Sequence, residues 1–284
     1  MLTATDKETA DRPGLVIDTH SQLGLAAEKL PPAMLEGYRR AFGRVPSSFS
    51  LENIIEDMER AGVDKSVVVG LDAETTFDYR VANEVVAEAV AKHPARFIGF
   101  AGADPHKGKV AVKELKRAVE ELGLRGLKLL PHLHQLFPND PMYYPLYEQA
   151  EALNLPVLFH AGNQFHQGTR LKYCRPIYLD DIAVDFPELK IIIAHFGWPW
   201  LEETLAIVQR HPNVYFNLAG WPPRYFPPQL IGYLNGPAQD KALFGSDYPL
   251  IKRERFLKEL EGLPLKPEVK RKLLVTNPAK LLGI

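Results

Sequence analysis

The chain has 284 residues, of which 46% are hydrophobic and 24% charged, proportions typical of a globular protein that buries a large core. Its formal net charge is -1, so no basic excess points to nucleic acid or an anionic membrane as a partner. The single cysteine, Cys174, excludes an internal disulfide and fits a reducing compartment, with a free, buried and inert thiol as its expected state.

The first residues, 1–14, are polar and mixed in charge, and they lack the apolar core of a signal peptide. No run approaches the ~18–20 apolar residues of a membrane span. We therefore expect a cytoplasmic protein with a flexible arm over residues 1–14 and a single domain over residues 15–284.

The first predicted strand starts with the apolar residues 15–17 and leads into Asp18, His20 and Gln22. Because residues alternate sides along a strand, these three polar side chains are expected to share one face. Residues 25–50 then contain three prolines and predict a long irregular insertion. Loops of this length usually act as lids, binding loops or interface segments.

The rest of the chain repeats a strand–helix unit. Apolar, β-branched runs typical of buried parallel strands lie at 66–69, 97–101, 126–130, 156–159, 190–194, 214–218 and 242–245. Helical spacing lies between them, at 51–61, 79–92, 110–122, 143–153, 179–186, 200–211 and 228–234. Eight such units predict an α/β fold, a (β/α)8 TIM barrel. A doubly wound sheet is the alternative, weakened because no glycine-rich dinucleotide turn or phosphate loop is present.

Four predicted strands end in side chains that can hold a metal or move a proton: His20, His160, His195 and Asp247. In a barrel the carboxyl ends of the strands line one mouth, so these side chains are expected to converge. Each one alone is more simply explained as a hydrogen-bonded structural group or a turn cap. Together, at regular positions of the repeat, they predict an active site.

Four motifs carry a resemblance to a known family: Ile-Asp-Thr-His at 17–20, His-Ala-Gly at 160–162, Ala-His-Phe-Gly at 194–197 and Phe-Gly-Ser-Asp-Tyr-Pro at 244–249. The chain resembles the amidohydrolase-related family over nearly its whole length. This branch of the amidohydrolase superfamily contains aminocarboxymuconate-semialdehyde decarboxylase, resorcylate-type decarboxylases and pyrone-dicarboxylate lactonase. The resemblance implies an amidohydrolase-like barrel.

The resemblance also implies a divalent metal, held by a His-x-His on strand one, a histidine after strand five and an aspartate after strand eight. Carried over to this sequence, His20, His160 and Asp247 are the metal-ligand candidates, and His195 and Asp247 are the catalytic candidates. The sequence departs from the family at Gln22, which replaces the second histidine of the motif. A neutral amide is a weaker ligand than an imidazole.

Three hypotheses follow from Gln22. In the first, His20, His160 and Asp247 hold zinc, or alternatively manganese, and Gln22 or water completes the shell. In the second, metal binding is weak or lost and catalysis continues without it, as in the lactonases of the family. In the third, the barrel binds a ligand and does no chemistry.

Candidate substrate contacts come from the loop after strand five and from two other positions. The cations Arg170 and Arg175 favour a carboxylate-bearing substrate, although a solvated loop would carry them equally well. Lys128 on strand four and Trp198 after strand six complete the predicted binding residues. His132 and His134 form a second His-x-His. They could line the pocket or add a ligand, but polar surface residues are the favoured interpretation.

The first functional expectation is a hydrolase that acts on a small carboxylated or cyclic ester or amide through metal-activated water. The alternatives are a non-oxidative decarboxylase of an aromatic or unsaturated acid, a metal-independent lactonase, and a non-catalytic binding barrel. The expected partner is a small, carboxylate-bearing molecule, and neither nucleic acid nor membrane is expected. The sequence is compatible with a homodimer.

Overall fold

Eight parallel strands form the centre of the computed structural model, which describes residues 14–23, 30–43 and 50–284. We number the barrel strands β1 Ile17–Gln22, β2 Lys65–Val69, β3 Phe97–Gly102, β4 Leu127–Leu129, β5 Pro156–Phe159, β6 Lys190–Ile193, β7 Val214–Asn217 and β8 Ala242–Leu243. Each strand pairs in parallel with the next one along the chain.

The barrel closes between its first and last strands through backbone hydrogen bonds. The amide of Thr19 donates to the Phe244 carbonyl at 2.9 Å, and the amide of Asp247 donates to the His20 carbonyl at 2.8 Å. The predicted (β/α)8 barrel is confirmed. Runs such as Val67–Val69 and 191–193 (three isoleucines) are buried on both faces because helices cover the outside of the barrel and side chains fill its interior.

The helices follow the strands around the outside of the barrel. The α-helices are Pro32–Phe42, Leu51–Ala61, Glu74–Phe77, Asn83–Lys92, Lys109–Glu120, Pro131–His134, Tyr144–Ala152, Tyr178–Asp185, Leu201–Arg210, Pro228–Leu234, Arg253–Glu261, Pro267–Arg271 and Asn277–Leu282. Short 3-10 segments lie at Pro105–Lys107, Leu171–Cys174, Ala194–Gly197 and Pro223–Tyr225, and a π-helical turn lies at Lys272–Thr276. Among the described residues, no helix is long and apolar enough to cross a membrane.

Two sequence predictions of local structure are wrong. The predicted helix 79–92 starts only at Asn83, because Tyr79–Val81 is a strand that pairs antiparallel with Leu71–Ala73. The side chains of Tyr79 and Val81 are both buried, which is the period of two expected of a strand.

The predicted irregular insertion 25–50 contains the helix Pro32–Phe42. Its proline lies at the first helical position, where a missing amide hydrogen is tolerated. Residues 24–29 and 44–49 lie outside the described part of the chain. The same holds for the predicted flexible arm, apart from Gly14.

Candidate active site

One cavity lies at the carboxyl ends of the barrel strands, with a volume of about 100 Å³. Its polar side chains are Gln22, Lys128, His132, His160, Asn163, Gln164, His166, His195 and Asp247. Its apolar and aromatic side chains are Leu23, Leu30, Met34, Tyr38, Leu71, Tyr79, Leu130, Leu133, Phe165, Trp221 and Leu250. The volume is of the same order as the ~150 Å³ engineered cavity that binds benzene in another protein. The cavity therefore suits a single ring that carries a few polar groups.

Asp18 lies behind this cavity and anchors the strand ends. Its carboxylate accepts hydrogen bonds from the Ser246 amide at 2.9 Å, the Ser246 hydroxyl at 2.6 Å and the Ser21 hydroxyl at 3.1 Å. Because Ser246 directly precedes Asp247, this carboxylate fixes β1 against the loop that carries a predicted catalytic residue. The expected shared face of Asp18, His20 and Gln22 is wrong for Asp18, because the register of β1 shifts between Asp18 and Ser21.

Arg253 completes the anchor and was missed in the sequence. Its side chain is fully buried, and its Nε donates to Asp18 Oδ2 at 2.7 Å. Its guanidinium also contacts Ser21 and Ser66, and its Nη1 lies 3.6 Å from Asp57 Oδ1. Burial raises the pKa of Asp57, and the charge of Arg253 opposes that rise. One cation thus serves two buried carboxylates beneath the cavity floor.

His195 is held in a defined orientation at the cavity wall. Its backbone lies in the left-handed region, with φ 58°, and its amide donates to Asn217 Oδ1 at 3.1 Å. Its Nδ1 lies 2.9 Å from the Ala219 carbonyl oxygen, which can only accept, so Nδ1 carries the hydrogen. The other ring nitrogen, Nε2, is therefore the one that can gain or lose a proton toward a substrate.

Opposing effects act on His195, and their net result is a pKa below the usual value, with the charge of Lys128 among the lowering causes. Burial lowers the pKa of His195, while the carboxylate of Asp247 acts to raise it. Gly220, with φ 74°, keeps the space between the two side chains clear: a Cβ at this position would lie 2.9 Å from His195 Nδ1 and 3.4 Å from Asp247 Oδ2. The pair therefore needs glycine at position 220.

Gln22 contacts both of the predicted metal ligands nearest to it. Its Nε2 donates to Asp247 Oδ1 at 2.8 Å and lies 3.4 Å from His20 Nε2. The same two ligand atoms, His20 Nε2 and Asp247 Oδ1, are 3.6 Å apart. The amide of Gln22 thus lies against both of these predicted ligand atoms.

Lys128 on β4 points into the same corner of the cavity. Its side chain is buried, and its Nζ lies 3.4 Å from His20 Nε2. Burial lowers the pKa of Lys128 to about 7, and Asp247 opposes that change. Burial, with the nearby charge of Lys128, also holds the pKa of His20 well below its usual range. Among the described residues that line the cavity, Lys128 is the one lysine or arginine and Asp247 the one acid.

His160 turns toward a different neighbour. Its ring lies 4.2 Å from the His132 ring, centroid to centroid, and its buried Nε2 has no hydrogen-bond partner. Within the described part of the chain, His132, His160 and Cys174 form the one group of three potential ligands whose donor atoms all lie within 4.8 Å. Burial raises the pKa of the Cys174 thiol to about 12, as expected of a free and inert cysteine.

The predicted metal ligands do not fit a metal ion as they are arranged. Bonds of about 2.0–2.2 Å keep any two nitrogen or oxygen ligands of one ion within about 4.4 Å. In the described residues, the donor atoms of His20, His160 and Asp247 are not all within 4.8 Å of one another. An amide nitrogen and an ammonium also approach His20 Nε2. The three residues share the barrel mouth, but in this arrangement their donor atoms lie too far apart to bind one ion together.

The other predicted binding residues lie away from the cavity lining. Arg170 is exposed and donates to Gln135 at 3.3 Å, and Arg175 is exposed and pairs with Glu203. Trp198 packs against Trp221, which lines the cavity, with ring centroids 4.4 Å apart. Of the predicted substrate contacts, the structure brings Lys128 to the cavity.

The expectation of polar surface residues at His132 and His134 is wrong, because both side chains are buried. His132 lines the cavity, and its Nε2 lies 3.3 Å from His166 Nδ1. His134 is fixed between the Tyr143 hydroxyl and the Asp72 carbonyl, at 2.7 Å from each. The His-x-His pattern alone gave no signal for this burial, and the structure places both residues in the short helix Pro131–His134.

A sequence model of the amidohydrolase family matches residues 17–284, nearly the whole chain. The chain belongs to the amidohydrolase family. A gamma-resorcylate decarboxylase from Polaromonas sp. is 27% identical over 216 residues, which is 60% of this chain and 65% of the relative. Two further gamma-resorcylate decarboxylases match over 51% and 44% of their own length. The chain thus spans between 44% and 65% of the length of these curated relatives. The family resemblance expected from the motifs is confirmed.

Solved structures agree with this assignment. An uncharacterized TIM-barrel protein from Bordetella bronchiseptica is 26% identical, with a TM-score of 0.79 over 94% of this chain and 98% of that one. A 5-carboxyvanillate decarboxylase from Novosphingobium aromaticivorans, complexed with manganese, has a TM-score of 0.73 at 17% identity, over 97% of each chain. Manganese, and not the expected zinc, is the ion of that second neighbour, and at 17% identity the likeness shows the fold alone.

Proposed function

We propose that this amidohydrolase-family chain is a non-oxidative decarboxylase of a small, ring-containing carboxylic acid. The observation that carries the proposal is the pairing, in one cavity, of Lys128, the one lysine or arginine of the described lining, with His195, whose Nδ1 is held by the Ala219 carbonyl. Similarity to gamma-resorcylate decarboxylases supports the reaction class. The hydrolase that the sequence suggested first has less support from these relatives.

The cavity can bind the substrate through charge and stacking. The carboxylate of the substrate would pair with the Lys128 ammonium, and charge-assisted hydrogen bonds of this kind are among the stronger ones in proteins. The ring would lie among leucines and aromatic side chains such as Phe165 and Trp221. Burial raises the pKa of Tyr38 and Tyr79 above the usual value, so both phenols stay protonated in the cavity wall.

The reaction needs one proton for each turnover. The bond between the ring carbon and the carboxylate carbon breaks, carbon dioxide leaves, and the bonding electrons stay on the ring carbon, which takes up a proton. The Nε2 of protonated His195 supplies that proton, while Nδ1–H stays bonded to the Ala219 carbonyl. The Asp247 carboxylate stabilises the imidazolium of His195. The net pKa of His195 is still lowered, which makes its imidazolium a stronger acid toward carbon.

The first test is the identity of the products. The chain is incubated with 2,6-dihydroxybenzoate and 5-carboxyvanillate, and separately with 2-pyrone-4,6-dicarboxylate, in deuterium oxide. We expect carbon dioxide from an aromatic acid and one deuterium on the product ring at the carbon that lost the carboxylate. Ring opening of the pyrone without release of carbon dioxide would replace the decarboxylase by a hydrolase.

Gly220→Ala is expected to lower turnover by about 100-fold, because the new Cβ pushes His195 and Asp247 apart and small displacements of catalytic groups are costly. The left-handed backbone adds about 1–2 kcal/mol of instability. Gly232→Ala is the matched control, since a Cβ there meets nothing within 4 Å; it should keep full turnover. Turnover and chemical denaturation are measured for both. Equal turnover of the two variants would contradict the assigned pair.

A further inference from the structure

Gln22 and Lys128 fill the corner of the cavity that holds His20 and Asp247, two of the predicted metal ligands. Gln22 Nε2 donates to Asp247 Oδ1 at 2.8 Å, and Gln22 Nε2 and Lys128 Nζ each lie 3.4 Å from His20 Nε2. An ammonium carries only donors, so the nitrogen that faces it presents its lone pair. A metal ion would need that same lone pair.

Gln22 also accounts for the hydrogen bond that the Asp247 carboxylate accepts. A histidine at this position would offer a ring nitrogen as a ligand, whereas the amide nitrogen of Gln22 offers only hydrogens. It therefore binds the Asp247 oxygen directly instead of sharing an ion with it. The ring of His160 lies against the tilted ring of His132, with 4.2 Å between ring centroids, and 4.8 Å from the ring of His195.

We propose that the Lys128 ammonium replaces the divalent ion in this chain, and that Gln22 and His20 are its positioning residues. The inference rests on the proposed function, because it assigns Lys128 to the carboxylate of the same substrate. The buried Nζ of Lys128 lies 3.4 Å from His20 Nε2, and no carboxylate of the described residues forms an ion pair with it. The carboxylate of the incoming substrate supplies that anion. The positive charge that binds it then belongs to the protein and does not have to be recruited from solution as a metal ion.

The first arm of the test concerns metal. Wild type and Gln22→His are stripped with a chelator and titrated calorimetrically with manganese. We expect wild type to bind far less than one ion per chain and Gln22→His to gain affinity, because the substitution restores the His-x-His of the family. Binding of 2,6-dihydroxybenzoate to wild type should be indifferent to chelator. Stoichiometric manganese in wild type, with chelator-sensitive binding of 2,6-dihydroxybenzoate, would overturn the proposal.

The second arm concerns the lysine. Lys128→Met should weaken 2,6-dihydroxybenzoate binding by roughly tenfold to hundredfold, the range expected for a hydrogen bond to a charged group. Resorcinol, which has no carboxylate, should bind Lys128→Met and wild type alike, which separates loss of charge from loss of shape. Lys113→Met, at an exposed helix position, is the surface control. Unchanged binding of the acid to Lys128→Met would refute the assignment.

Each arm of the test gives a result even if the other one fails. If Lys128→Met does not fold, as judged by circular dichroism, Lys128→Gln and the manganese titration of wild type decide between the ammonium and an ion. If carbon dioxide is never released, the proposed decarboxylation fails, while chelator-indifferent and Lys128-dependent binding of the acid would still stand.

Discussion

Replacing Arg253 by methionine is expected to lower the free energy of unfolding by about 3–5 kcal/mol, the usual loss when one partner of a buried ion pair is removed. The substitution leaves the carboxylates of Asp18 and Asp57 buried without their cation. Burial already raises the pKa of Asp57, and without the opposing charge this carboxyl should take up a proton more readily. Chemical denaturation at neutral pH measures the loss.

Arg255→Met is the matched control for Arg253→Met. Arg255 lies two residues further along the same helix, in an exposed i,i+4 pair with Glu259. Pairs of this kind contribute at most about 1 kcal/mol. We also expect Arg253→Met to lose turnover, because Asp18 fixes the Ser246–Asp247 loop. If the two variants had the same stability, the buried network would not be the anchor of the barrel mouth.

The barrel strands could be predicted because their local signal agrees with their burial. Runs of β-branched residues bounded by glycine or polar residues occupy strands buried on both sides, so the pattern needs no knowledge of the tertiary fold. The strand Tyr79–Val81 was not predicted, because three residues are too few to show the alternation of a strand next to the helix that follows. The helix Pro32–Phe42 was not predicted, because prolines usually mark a loop, whereas here a proline begins a helix.

The site could be predicted as a set of residues but not as a set of contacts. His20, Lys128, His195 and Asp247 meet at the barrel mouth because strand ends converge there. The direction of His160 toward His132 depends on packing among loops that are distant in sequence. Arg253 looked like an ordinary charge on a surface helix, because its partner Asp18 lies 235 positions away. Contacts of that span leave no local pattern.

His195→Gln is expected to lower kcat by about 100-fold to 10,000-fold, the usual contribution of a positioned general acid. The amide nitrogen of glutamine can still hydrogen-bond but cannot deliver a proton to carbon. The apparent affinity for the substrate should change little, because Lys128 and the apolar wall bind it. The substitution should therefore lower kcat and leave KM nearly unchanged. This result distinguishes a role in proton transfer from a role in binding.

His93→Gln is the control for this prediction, since His93 lies outside the cavity lining and contacts Phe97, with ring centroids 5.9 Å apart. It should match wild type in both constants. Turnover of His195→Gln close to that of wild type would move the proton source to another group, and Asp247 is then the remaining acid of the described cavity lining. Asp247→Asn tests this, because an amide supplies no acidic proton. Loss of turnover in both variants, with acid binding retained, is the result that a coupled His195–Asp247 pair requires.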